Sequence, residues 1–168
     1  PKVSVSTDGY VSVPGMNDFL GVKGYLAYGW MERDRVVRDA LLHEKYGYLR
    51  ILPPDSPVTL HAGLIHHALW GGTPSEAVAG REQGAFRDGL EQFGRVFFAA
   101  RGSGEIGPDH MGNYDFSVDF KTGPVEGQVY RQFFFEDAPG LWFRNVWDGL
   151  WGLSLRRTGE PALLDALL

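Results

Sequence analysis

Asn113-Tyr-Asp-Phe-Ser-Val-Asp-Phe-Lys121 alternates residue by residue between apolar and polar side chains. Tyr114, Phe116, Val118 and Phe120 fall on one side of a two-residue period, and Asp115, Ser117, Asp119 and Lys121 fall on the other. That pattern reads as an antiparallel strand with one packed face and one wet face. Downstream, Gln128 to Phe135 becomes apolar on both faces near its end, as in a central strand. Asp137-Ala-Pro-Gly140 is a turn, Leu141 to Trp147 is predicted to return as a strand, and Trp151 to Leu155 as another. A short helix is expected from Pro161 to Leu168. Upstream, Val96 to Ala100 reads as a strand and Gly102 to Gly112 as a Gly-rich connection.

The first half carries helix signals. Val3, Val5, Tyr10, Val11 and Val13 read as short strands around a turn at Asp8–Gly9, but Asp34 then offers an N-cap for a helix over Arg35 to Tyr46. Val37, Ala40, Leu41 and Glu44 share its stripe, and Gly47 stands at the C′ position. Ser56–Pro57 opens a second expected helix, which ends at Gly71–Gly72. Thr73-Pro-Ser-Glu76 matches a capping box for a third, with Phe86, Leu90 and Phe93 on one face and Gly94 as its stop. Gly80, Gly84 and Gly89 each cost that helix roughly 1 kcal/mol relative to Ala. These elements predict an α+β fold, helices in the N-terminal half packed on a C-terminal antiparallel β-sheet. Residues 1–168 are read as a single soluble domain, excised from or processed out of a longer chain because it opens with Pro1.

Composition narrows the function. With 16 basic and 21 acidic residues the formal charge is −5, so tight nucleic-acid binding has no evident electrostatic source. The absence of cysteine removes disulfides, thiolate nucleophiles and Cys-ligated metals. No run approaches the roughly 18 apolar residues of a membrane-spanning helix. No motif calls for a cofactor: Arg101-Gly-Ser-Gly-Glu-Ile-Gly107 lacks the Lys-Ser/Thr ending of a phosphate loop. The compartment stays open between secreted bacterial and cytoplasmic.

Five histidines carry the chemistry that remains: His43, His61, His66, His67 and His110. On a helix at 100° per residue, His61 points away from His66 and His67, and those two diverge from each other, so no metal clamp forms. His67 shares a stripe with Leu60, Leu64 and Ala68 and is expected to face the interior, with His66 pointing elsewhere. Asp109–His110, on a Gly-flanked loop leading into a strand, is the candidate proton-transfer pair. Asp115 and Asp119, about 13 Å apart along one strand, are too distant for a glycosidase pair. Arg131 is available to hold an anion or to pair with Asp115 across strands.

Two functions follow. One is a hydrolase-type antibacterial effector using His110, Asp109, His66, His67 and Arg131. The alternative is a protein- or carbohydrate-interaction module whose surface is Trp142, Arg144 and Trp147, since Trp and Arg dominate binding hot spots.

Overall fold

The protein's structure, a computed structural model, describes residues 1–74, 89–100, 109–136, 147, 149–158 and 162–167. It is built almost wholly of strands: β1 Lys2–Ser6, β2 Val11–Ser12, β3 Leu20–Trp30, β4 Val37–Arg38, β5 Leu41–Ile51, β6 Val58–Trp70 and β7 Thr73–Pro74. After helix α1, Leu90–Phe97, come β8 Asp109–Thr122, β9 Val125–Glu136, β10 Leu150–Arg157 and β11 Ala162–Leu167. Nine strands make one antiparallel sheet in the order β1-β3-β5-β6-β8-β9-β10-β11, with β2 also on β3. The short strands β4 and β7 pair separately.

The expected helices of the first half are therefore corrected. The segment from Arg35 to Tyr46 holds β4 and the start of β5, and the segment opened by Ser56–Pro57 is β6. Leu41, Leu49 and Ile51 on one side of β5 and Leu42, Tyr46 and Tyr48 on the other put apolar or amphipathic groups on both, so a helical stripe fits it as well as a two-residue period does. In β6, Ile65 and Leu69 oppose Leu64 and Ala68, which blurs the alternation in the same way. Ladder pairing with both neighbours overrides the local caps. Of the third expected helix, 75–88 lie outside the described residues, and α1 instead covers Val96, which sequence assigns to a strand. The C-terminal helix is replaced by β11. The strands read around Val3, Val11, Asn113–Lys121, Gln128–Phe135 and Trp151 are present, whereas Leu141 to Val146 lie outside the described residues.

The register explains why glycine recurs within the strands. Tyr48 stands directly opposite Gly63, Phe120 opposite Gly127, Tyr130 opposite Gly152 and Phe135 opposite Gly112. In each pair the ring lies where a β-carbon on the glycine would sit. Gly123, with φ of 56°, and Pro124 close the two-residue hairpin between β8 and β9.

Replacing Gly63 with Val drives a side chain into the Tyr48 ring and is expected to cost about 1–3 kcal/mol. Gly47→Ala, with open space at the β-carbon, is expected to stay within about 0.5 kcal/mol. Urea unfolding of both variants checks the contrast.

Candidate functional site

The antiparallel register keeps two sets of side chains on opposite faces from β1 to β10. One face carries Val3 and Val5, then Leu20, Val22, Leu26 and Tyr28 of β3, which stand beside Ile51, Leu49, Lys45 and His43 of β5. It continues through Leu60, Ala62, Leu64 and His66 of β6 to Val118, Phe116 and Tyr114 of β8, and on to Val129, Arg131, Phe133, Trp151 and Leu153. Among the described residues this face holds no carboxylate, and its charged side chains are Lys45, Arg131 and Arg157. Lys45 donates to the Phe97 carbonyl of α1. Arg131 is buried, with its guanidinium 4.4 Å from the Phe133 ring centroid and 5.1 Å from that of Trp151.

The opposite face is polar and internally bonded. His61 Nε2 lies 3.0 Å from Asp119 Oδ2, the Tyr10 hydroxyl lies 2.9 Å from His61 Nδ1, and Gln128 donates to Asp119 Oδ1 at 2.7 Å. Tyr48 and Asn113 both donate to Asp115. Lys2 pairs with Glu44, and both Lys121 and Arg156 pair with Glu126. The Tyr25 and Tyr46 rings stack at 5.1 Å between centroids.

Solvent exposure reverses the usual relation between the two. Leu49 is 47% exposed, Leu60 40%, Phe116 38%, Val118 39% and Trp151 52%, all on the apolar face. Buried apolar side chains among the described residues are limited to Ala27, Ala68, Trp70, Val96 and Ala99, and the packed cluster is Ala68, Trp70 and Val96 with Tyr28 and Leu41 against it. That cluster lies under α1, at one end of the apolar face.

Three of the five histidines meet at this end. His43, His66 and His110 are buried, and His66 Nε2 lies 2.9 Å from His110 Nδ1. The rings of His43 and His66 are 5.8 Å apart between centroids, with Phe97 of α1 packed against His43. Burial is the main cause that pushes the His43 imidazole down to about 4 and that of His66 down to about 3, with the nearby Lys45 charge adding to it. Both rings are therefore neutral at pH 7.

The structure brings some of the candidate residues together and keeps others apart. His66 and His110 do come together. His66, expected to point away from the interior, is fully buried, and His67, expected inside, is on the polar face 3.7 Å from Glu44. Asp109 sits opposite Leu69, on the polar face, so it does not orient the His110 ring on the other side. Arg131 stands opposite Phe116, six residues or about 20 Å along β8 from His110. Asp115 stands opposite Gln132, so Arg131 and Asp115 are on different faces and do not pair. Trp147 is 94% exposed, while Trp142 and Arg144 lie outside the described residues. Sequence reasoning missed His43, whose role depends on a register no helical reading contains.

Among the described residues no group of three or more His, Asp or Glu side chains is arranged to hold a metal ion. Comparison with protein-family models, curated proteins and solved structures found no match for this chain.

His61→Ala leaves the Tyr10 hydroxyl and one Asp119 oxygen without their partner and is expected to cost about 1–3 kcal/mol. Lys121→Ala, which removes an exposed ion pair, is expected to cost less than about 1 kcal/mol. Denaturant titration of the two variants measures the difference.

Proposed function

We propose that this chain forms part of the wall of a transmembrane β-barrel, with its apolar face against lipid and its polar face lining the interior. The observation that carries the reading is the segregation of side chains, broken on the polar face by Leu42, Ile65, Leu69, Met111 and Phe134 toward the α1 end, in which much of the apolar face is left exposed. A water-soluble sheet buries that face under a second layer. In a membrane barrel the apolar positions face outward and the polar ones inward along every strand.

Strand length agrees. β3, β5, β6, β8 and β9 have 11, 11, 13, 14 and 12 residues, enough for the roughly 9–11 that a tilted strand needs to cross a bilayer. The connections divide by end. Residues 31–40, 71–108 and 137–149 join strands at one end, and residues 13–19, 52–57, 123–124 and 158–161 join them at the other. Long loops on one side and short turns on the other are a feature of such barrels. Aromatic side chains run obliquely across the apolar face, from Trp30 through Tyr114 and Phe133 to Trp151, as a belt does on tilted strands. No helix among the described residues is long and apolar enough to cross a membrane.

The outer edges of β1 and β11 have no neighbour among the described strands, and a barrel closes only where such edges are paired. Histidine acid–base hydrolysis has less support. Among the described residues no carboxylate shares the face of the His66–His110 pair, and the pair is buried rather than set in a cleft.

Adjacent positions on β6 test the assignment. Leu60→Arg places a charge on the lipid face and is expected to weaken insertion into phospholipid vesicles by about 2–4 kcal/mol if it lies near the midplane. Thr59→Arg, on the polar face, is expected to insert like the unsubstituted chain. A chain that stays monomeric in detergent-free buffer, and tolerates both changes equally, overturns the reading.

A further inference from the structure

We propose that the buried histidine cluster is an acid-sensitive latch, which holds α1 on the sheet at neutral pH and releases it when the cluster is protonated. The latch is independent of whether the rest of the apolar face meets lipid.

The geometry confines the contact to one end of the sheet. Val96 is fully buried against Ala68 and Trp70, Phe97 packs on His43, and Phe93 stacks on Tyr28 at 5.5 Å between centroids. Lys45 adds a charged bond to the carbonyl of Phe97, in the last turn, where a cation suits the helix dipole. Docking is nonetheless costly. Both nitrogens of His43, Nδ1 of His66, the Tyr28 hydroxyl and the Trp70 indole nitrogen are buried without a hydrogen-bond partner among the described residues. Each such group forfeits its hydration, so water entering on release recovers part of that cost. A contact with this balance is readily displaced by a further charge.

Among the described residues no carboxylate stands on the face of the His43 and His66 rings. From β5 the cluster faces Lys45, from β8 His110 and from β3 Tyr28. From α1, Glu91 is paired with Arg95 at 2.8 Å. His67 acts on the cluster from the far side of β6, where it lies beside Glu44. Glu44 and Asp109 are on that far side also. Protonation therefore puts positive charges beside Lys45 in a buried site.

The sign follows from linkage. His43 and His66 bind protons more weakly under α1, at about 4 and about 3, than at their ordinary 6.5. Docking is thus fully favoured above about 6.5 and is lost progressively as pH falls through the interval down to those values.

The absence of native cysteine makes the test direct. In the full chain, Val96→Cys places a thiol at the buried contact, and Ser4→Cys on exposed β1 supplies a reference for the pH dependence of the reagent. With 4,4′-dithiodipyridine, the Val96→Cys rate relative to the Ser4→Cys rate is expected to rise at least about tenfold between about pH 7 and pH 5. Far-UV circular dichroism is expected to stay constant over that interval. Adding His43→Phe together with His66→Phe is expected to flatten the rise. NMR of the His43 and His66 rings in the unsubstituted chain, expected to show protonation over the same interval, guards against a perturbing cysteine. The proposal is overturned if Val96→Cys stays protected while both rings protonate. It is equally overturned if the sheet signal is lost together with the protection, or if the double Phe variant keeps the full response.

Discussion

The continuous register of the antiparallel ladder is the constraint from which the other features follow. Side chains alternate strictly along a strand, so one pairing shift at any junction would carry lipophilic residues to the polar face. From β1 to β9 the pairing runs without such a shift, and the irregularity between Leu155 and Arg156 occurs only at the junction with β11. Glycines opposite aromatic rings belong to the same constraint. Tyr48 and Tyr130 lie flat across Gly63 and Gly152 on the polar face, and Phe120 and Phe135 do the same at Gly127 and Gly112 on the apolar face. A larger residue at any of these positions would lift the ring and disturb the ladder beneath it.

Energetically the sheet is unusual in where it places its apolar area. Among the described residues the fully buried large side chains are His43, His66 and Val96, at the end of the sheet where the eight-residue α1 packs on His43, Ala68 and Trp70. Burial of this kind contributes roughly 25 cal/mol per Å² of apolar surface. On the broad face Val22, Leu49, Leu60, Phe116, Val118 and Val129 each keep more than a third of their area exposed and forgo part of that contribution. In water, backbone ladders with so little burial would carry most of the structure. In lipid, the same backbone bonds are worth more and the same side chains are already solvated. Two of the three charges on the broad face are engaged, Lys45 on a helix carbonyl and Arg131 between two rings, whereas Arg157 is exposed at the end of β10. The polar face shows the complementary economy, with Asp115 and Asp119 each accepting from two neighbours.

The legible part of the fold was the part in which one face is uniformly charged or hydroxylated. From Asp115 to Lys121 of β8 every second residue is Asp, Ser or Lys, and no helical period can accommodate that. β5 and β6 escaped because Tyr, His, Ala and Gly are tolerated on either face, and because Pro57, Gly47 and Gly71 look like helix punctuation. Those residues mark strand interiors and strand ends here. Of the candidate site, the partnership of His66 with His110 was legible only as two histidines worth measuring. The positions of Asp109 and Arg131 were not, since each depends on which residue stands opposite.

By itself the sequence determined the absence of cysteine chemistry, the modest negative charge, and the strands around Val3, Phe116, Val129 and Trp151. These are local properties, set by side-chain type and by a two-residue period. The tertiary structure decided that Leu41 to Trp70 are strands, that His43 joins His66 and His110, and that the apolar face stays exposed. All three depend on pairing between residues far apart in the chain, from Glu44 with His67 to His110 with Ala68. A one-residue change in that pairing leaves every local signal untouched and reverses the face on which each side chain stands.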